Sequence, residues 1–325
     1  VRLAERQPEV NLEALLAQFV PPPRFYGASF ASYQPDPHYP SQAAAARRLQ
    51  EWVHDKPKGL LRKRLPEPGG LYLDGGFGVG KTHLLVASYW DAPEPKAYLS
   101  FEELTYAVGL MGMTRAVEHF AGLAYLFIDE FELDDPGNAQ MVTNLLGQTM
   151  LRGLRVAATS NTPPGALGQG RFNAEQFQLQ IQSLARRFQT LSLEGPDYRR
   201  RDFGHIPEPL DPEVLERRFL EETRPASYDS FAELFYLLRG LHPIRYRLLF
   251  EGLGVIYLEG LAPIPDQNDA LRFVHFVDKL YDRGLGLRAS GVSLEQIFPD
   301  TYRNGAFAKK YGRCLSRLAE LLAAP

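Results

Sequence analysis

Short apolar runs alternate with helical periodicity through the middle of the chain. LYL at 71–73, AYLS at 97–100, AYLFID at 124–129, RVAATS at 155–160 and FQTLSL at 188–193 are bounded runs of strand length, and several are too continuously apolar to keep one face in water. Between them, segments from Lys81, from Phe101 and through MVTNLLGQTM (141–150) carry helical spacing. Strands separated by such helices predict an α/β fold with a mostly parallel sheet flanked by helices on both faces. Upstream, an amphipathic helix is expected near residues 11–19, stopped by Pro21, Pro22 and Pro23. A second is expected from Ser41, as N-cap, to about His54, and Lys56 to Gly70, rich in Pro, Gly and basic residues, reads as a linker. The expected divisions are an N-terminal helical segment (1–65), a core (66–205) and a C-terminal subdomain (206–325).

The pattern also repeats. Shifted by 130 residues, SYDSFAELFYLL lies on AYLSFEELTYAV and LGVIYLEG on LAYLFIDE without a gap. Of the 62 positions from 100 to 161, 11 are identical, against roughly 6% expected from average residue usage. Two unrelated α/β units of similar length offer the other explanation. Under either, the C-terminal third is expected to be strand, helix, strand, helix, strand, an α/β or mixed subdomain in place of a helical bundle. The second copy lacks a glycine loop, and its counterpart of Asp129-Glu130 is Glu259-Gly260.

Composition narrows the function classes. The 325 residues are 45% hydrophobic with a net charge of −3 and interspersed signs, so a large core is available and no global field selects nucleic acid or an anionic membrane. A single cysteine, Cys314, excludes an internal disulfide, and no His/Cys cluster has structural zinc spacing. The first 20 residues alternate charge with leucine and contain no signal-like or membrane-spanning apolar run. A cytoplasmic location is the expectation.

Residues 75–82, GGFGVGKT, satisfy GxxxxGK[ST], a pattern met by chance on the order of once in a hundred chains of this length. A phosphate chain needs inward-pointing backbone N–H groups and a helix N-terminus, and side chains at the glycine positions would obstruct both. Gly75, Gly76, Phe77, Gly78, Val79, Gly80, Lys81, Thr82 and His83 are therefore the nucleotide-binding candidates, with Lys81 on the β- and γ-phosphates and Thr82 on Mg²⁺. A turn with no ligand is the alternative, but a preceding strand and a following helix are the context the motif requires. YLFIDE then ends a strand at Asp129, expected to orient the hydrated Mg²⁺, and places Glu130 beside it to polarise the attacking water. Asn161, ending RVAATSN, is expected to reach the γ-phosphate or that water. A polar residue there is the sensor arrangement of the P-loop AAA+ ATPases.

LYLDGGFGVGKTHLL, LFIDEFELDD with Phe131, AATSNTPPGAL and the DYR at Asp197–Arg199 resemble the ZapE family of bacterial cell-division AAA+ ATPases and their mitochondrial relatives. FASYQPDPHYPSQAAAARRL and FVDKLYDRGLGLRASGVSLEQIF extend the resemblance over nearly the whole chain. It implies ATP hydrolysis with Mg²⁺, a division-ring protein partner in bacteria, and homo-oligomers in the ATP-bound state. It also implies an arginine finger donated by a neighbouring subunit. Arg171 is the best candidate, although the family's Gln-Arg pair falls where this chain has Asn173 and Ala174; Arg186 and Arg187 are the alternatives, and Arg272 is the candidate for a second sensor.

Other features have weaker claims. Phe30 and Tyr33 are candidates to stack on adenine or simply pack, His83 is expected to be a first-turn helix residue without a catalytic role, and Arg199, Arg200 and Arg201, between Asp197 and Asp202, read as a solvated loop. A replication-loader or transposition-helper ATPase shares the P-loop, DE and sensor layout but commonly adds basic or helix-turn-helix elements, which are not evident here. A nucleotide-binding scaffold is the remaining alternative.

Overall fold

The computed structural model describes residues 2–8, 11–55, 69–132, 136–163, 178–197, 207–305 and 307–323. The chain separates into two units. One contains residues 11–21 and 25–198; the other contains 1–10, 22–24 and 199–325. Residues expected to form an N-terminal segment are thus distributed over both.

In the first unit, α1 (Leu12–Leu16) is capped by the Asn11 side chain, which accepts from Ala14 N at 2.7 Å. It is shorter than the expected 11–19. Helix α2 (Pro40–His54) begins one residue before Ser41, with Pro40 in its first turn, where a missing N–H costs nothing. Ser41 is therefore not the N-cap: Tyr39 holds that position, and the Ser41 hydroxyl accepts from Glu194 N at 3.0 Å. Of the expected linker, residues 56–68 lie outside the described residues, and Gly70 already opens β1 (Gly70–Gly75).

The chain continues through α3 (Lys81–Asp91), β2 (Lys96–Ser100), α4 (Phe101–Met111), α5 (Met113–Ala121), β3 (Tyr125–Asp129), α6 (Pro136–Leu151), β4 (Arg155–Ser160), α7 (Gln178–Ala185) and β5 (Phe188–Leu193). All five expected strands form. They make one parallel sheet in the order β2-β3-β4-β1-β5, and Leu71, Leu73, Leu84, Leu85, Trp52 and Phe127 are buried between sheet and helices. This order sets the ends of β3, β4 and β1 side by side, so groups far apart in sequence share one rim. In open parallel sheets ligands bind beyond that carboxyl rim.

The second unit holds α8 (Pro212–Leu220), β6 (Ala226–Ser230), α9 (Phe231–Gly240), a 3-10 stretch at Pro243–Phe250, β7 (Val255–Leu261), α10 (Gln267–Arg283), β8 (Gly286–Gly291), two short helices, α11 (Leu294–Ile297) and α12 (Asp300–Arg303), and α13 (Ala308–Ala323). The expected alternation of strand and helix is present. The three strands are parallel in the order β6-β7-β8. A large core between α9, α10, α13 and the sheet includes Phe231, Phe273, Phe276, Leu258 and Cys314, and Leu3 from the N-terminal stretch is buried with them. Burial pushes the Cys314 thiol well above its ordinary range, which makes it inert.

The 130-residue periodicity is visible in the backbone. Ser100 caps α4 and Ser230 caps α9, each in a reciprocal capping box with Glu103 or Glu233. Pairing of Lys96 with Tyr125 in β2 and β3 becomes pairing of Ala226 with Val255 in β6 and β7. Even a local irregularity recurs: Pro95 O accepts from Ala124 N and Tyr125 N (2.7 and 3.3 Å), and Pro225 O accepts from Gly254 N and Val255 N (2.7 and 3.4 Å).

Candidate active site

The loop between β1 and α3 is built where side chains have no room. A Cβ on Gly75 would stand 2.3 Å from Leu193 O on the neighbouring β5, and one on Gly80 would stand 2.6 Å from the Tyr33 ring, with Gly80 also at φ +93°. Glycine meets both conditions without displacing the Leu193 backbone or the Tyr33 ring. The N-terminus of α3 then faces the loop, where its unpaired N–H groups favour an anion. Tyr33 covers this turn, its hydroxyl donating to Val79 O at 3.3 Å. His83, in the first turn of α3, lies against the Tyr33 ring at 5.5 Å and has Nε2 at 3.0 Å from Ser29 O and 3.2 Å from Ser32 Oγ. The Ser29–Tyr33 turn is thereby fastened to the loop, and Phe30 packs on the core beneath it.

Lys81 is buried, and its ammonium donates to Gly75 O (2.7 Å), Gly76 O (2.5 Å) and Asn161 Oδ1 (3.0 Å). These oxygens satisfy the charge in a form that phosphate oxygens can replace. The Thr82 hydroxyl donates to Asp129 Oδ1 at 3.3 Å, so both candidate Mg²⁺ residues converge on one point. Few protein ligands are needed there, because Mg²⁺ keeps waters and uses phosphate oxygens when bound with a nucleotide. Asp129 also accepts from Tyr98 OH at 2.9 Å and from Thr159 Oγ1. Burial raises its pKa above the usual carboxylate value, the Glu130 charge adds to the rise, and the three hydroxyls partly oppose it.

Glu130 follows in a left-handed conformation (φ 53°), alone in this respect among the described non-glycine residues. Its N–H donates to Thr159 Oγ1 at 3.1 Å, so the Thr159 hydroxyl ties the backbone of Glu130 to the carboxylate of Asp129. Phe131 is buried, its ring edge-on to Phe101 (5.2 Å) and Tyr72 (6.2 Å), and its N–H donates to Thr159 O at 2.7 Å. An exposed glutamate is thus aimed by a buried neighbour. On the adjacent strand, Asn161 follows Ser160 at the end of β4. Its side chain touches both Lys81 and Glu132, with Nδ2 donating to Glu132 Oε1 at 3.3 Å.

The sequence pattern of AFG1-like ATPases matches residues 9–218 and 207–324. The chain belongs to the AFG1-like ATPase family. It is an ATPase by family. The cell division protein ZapE of Escherichia coli K12 is 28% identical over 297 residues, spanning 78% of this chain and 77% of that protein. An uncharacterized protein of Schizosaccharomyces pombe is 25% identical over 384 residues, spanning 92% and 84%. Among solved structures, AMPPCP-bound DnaA of Aquifex aeolicus has 14% identity and a TM-score of 0.40 over 89% of this chain and 80% of that one. The DnaC helicase loader has 17% identity and a TM-score of 0.40 over 53% and 99%.

Within this AFG1-like chain, Gly75 to His83, Asp129, Glu130 and Asn161 lie at one rim of the sheet. Arg171 lies outside the described residues, as do Arg199, Arg200 and Arg201. Arg186 is exposed at the end of α7, and Arg187 is half-buried before β5. Arg272, the candidate second sensor, donates to Leu238 O (2.7 Å), Leu241 O (3.0 Å) and Tyr246 OH (3.4 Å). That network ties α10 to the end of α9 and the 3-10 stretch, a packing role inside the second unit. Tyr98, Thr159 and Glu132 were not singled out from sequence. Tyr98 and Thr159 sit mid-pattern in strands where a hydroxyl reads as ordinary, and only sheet order brings them to Asp129. No helix among the described residues is long and apolar enough to cross a membrane.

Proposed function

We propose that the chain hydrolyses ATP with Mg²⁺ at the Gly75–Thr82 loop and uses the cycle to remodel a protein partner. The observation that carries this reading is the convergence of Lys81, Thr82, Asp129, Glu130 and Asn161 at the ends of three adjacent strands. Backbone N–H groups of the loop and Lys81 would bind the phosphates, and Thr82 with Asp129 would hold Mg²⁺, which when bound supplies charge neutralisation. Glu130 withdraws a proton from the attacking water, and its fixed turn removes the cost of orienting it. A neighbouring copy would donate Arg171, which requires a homo-oligomer in the ATP-bound state. By relation to E. coli ZapE, named a cell division protein, the partner belongs to the division ring and the location is cytoplasmic.

Turnover by the purified protein, measured beside Glu130→Gln, tests the chemistry. Loss of the base should lower kcat by about 10²- to 10⁴-fold while ATP still binds; unchanged turnover would leave a nucleotide-binding scaffold. Mixing Arg171→Ala with Lys81→Ala should restore part of the activity if the finger acts between copies. Crosslinking in the living cell with Glu130→Gln should hold division-ring proteins. DNA-stimulated turnover that weakens steeply with salt would put a nucleic acid in the partner's place.

A further inference from the structure

Asn161 is gripped from two sides. Its Oδ1 accepts from Lys81 Nζ at 3.0 Å, while Glu132 Oε1 accepts from both Asn161 N (3.2 Å) and Asn161 Nδ2 (3.3 Å). The other carboxylate oxygen, Oε2, accepts from Thr162 Oγ1 at 3.2 Å. These partners allow one orientation of the amide. Turned over, it would set NH₂ against an ammonium and a carbonyl oxygen against a carboxylate. When Lys81 moves to a phosphate, the constraint from Glu132 remains.

We propose that Glu132 is a positioning residue that fixes Asn161 as a hydrogen-bond acceptor facing the reaction site, so that Asn161 orients the attacking water in preference to donating to the γ-phosphate. This rests on the ATPase site described above and assigns the direction of one of its groups. Chain geometry favours it: Glu132 lies three residues beyond Asp129, just past the end of the strand next to β4, and engages both N–H donors of Asn161 while Lys81 takes its Oδ1. An acceptor at Asn161 and a base at Glu130 would take hold of the two protons of a single water. A donor there would compete with Lys81 for phosphate oxygens.

The test compares Glu132→Ala with Glu132→Gln. A glutamine keeps a carbonyl oxygen for the two Asn161 donors and turns its NH₂ to the Thr162 hydroxyl, which can accept, so the amide stays oriented. Glu132→Ala should lower kcat by about 10- to 100-fold, the penalty of a misplaced reacting group, with the dissociation constant of a non-hydrolysable ATP analogue within about twofold and an unchanged melting temperature. Glu132→Gln should remain within about threefold of the parent. In Asn161→Ala, adding Glu132→Ala should cost nothing further. Hydrogen exchange in nucleotide-free protein supplies a readout apart from turnover: the Asn161 amide should exchange faster in Glu132→Ala and not in Glu132→Gln. Parent-like turnover in Glu132→Ala, equal losses in both variants, or additive losses with Asn161→Ala would overturn the assignment. If the parent shows no Glu130-dependent turnover, the ATPase reading has failed instead, and unchanged exchange at Asn161 would separately show that Glu132 does not hold it.

Discussion

The two units allow the proposed site to be compared with a similar chain path that lacks its residues. Helix α3 lies on β3 and β4, and α8, 130 residues later, lies on β7 and β8. Strand β1 pairs with β4 in the first unit; in the second, a parallel bridge of Leu210 with Ser290 is found at that place among the described residues. The turn after the third element is also shared. Glu130 N donates to Thr159 Oγ1 and Gly260 N donates to Ser290 Oγ at 3.2 Å, and both residues have positive φ, 53° and 76°. Tyr98 bonds Asp129, and Tyr228 stands against Glu259, which helps to raise its pKa after burial. The difference lies at the head of the first helix. Gly80-Lys81-Thr82 opens α3 with the proposed phosphate cradle, whereas Asp211 stands at the N-cap position of α8 and Pro212 takes its first position. A carboxylate there repels phosphate, and proline removes a donor. The framework of parallel strands packs in both units, because a core needs only the apolar pattern, while the proposed site needs a few particular residues.

Binding stoichiometry gives the strongest way to break this comparison. Titration with a non-hydrolysable ATP analogue should saturate at one equivalent per chain. Lys81→Ala should weaken binding by about 100-fold, the equivalent of two charge-assisted hydrogen bonds, and Glu259→Gln in the second unit should leave both binding and turnover as they were. A second equivalent that survives Lys81→Ala would place a nucleotide on the C-terminal unit and end the contrast.

The shared turn allows a smaller exchange experiment. A non-glycine residue in the left-handed region costs roughly 1–2 kcal/mol, and glycine costs roughly 0.5–1 kcal/mol in chain entropy. Strain wins by a narrow margin. Glu130→Gly should therefore stabilise the protein by about 0.5–1 kcal/mol while removing turnover, and Gly260→Glu should destabilise it by a similar amount, since nothing lies within 4 Å of a Cβ at Gly260 and only the backbone is affected. Chemical denaturation of the two variants measures both. Matching signs would mean that the turns differ in ways their hydrogen bonds conceal.

What could be read from the sequence divides along the same line. LYL, AYLFID and RVAATS announced buried strands because both faces are covered, which leaves a continuous apolar run. GGFGVGKT, Asp129-Glu130 and Asn161 stood out as candidates because the proposed phosphate chemistry would restrict residue types at fixed spacing, and sheet order does bring them to one rim. Glu132 was not: an acid after an acidic pair looks solvated until sheet order brings Asn161 beside it. The α2 start fell on Tyr39 and not Ser41 because Pro40, able to occupy a first helical turn, outweighs a hydroxyl one residue on. The helix expected from Phe101 breaks at Gly112, at φ 73°, into α4 and α5, and one glycine in an apolar run does not announce its backbone angle. The repeat itself was visible mainly where Ser100 and Ser230 cap helices. Its first helix, α8, shares almost no letters with α3, so only the pairing of strands around it shows the equivalence.

Asp129 provides the smallest effect and one whose sign depends on pH. Its folded pKa is raised above 3.8, chiefly by burial and then by Glu130, so the folded protein binds a proton more readily than the unfolded chain. Stability contributed by that proton is full below the unfolded value and is lost as pH rises through the folded one. At neutral pH the charge is therefore a burden, offset in part by Thr159, Tyr98 and Thr82. Asp129→Asn should raise the melting temperature by about 1–2 °C at pH 7, and the gain should shrink as the pH is lowered through the raised folded pKa, where the parent's carboxyl acquires its proton. Affinity for Mg²⁺ with nucleotide should run the other way in the parent, strengthening as pH rises through the same interval, because the metal needs the ionised carboxylate. Thermal scans across that interval separate the two cases: a gain independent of pH would assign the effect to packing, and a loss at pH 7 would mean that the three hydroxyls more than repay the buried charge. A gain confined to the higher pH would show that the P-loop unit keeps at Asp129, as at Glu130, a residue its fold would be steadier without.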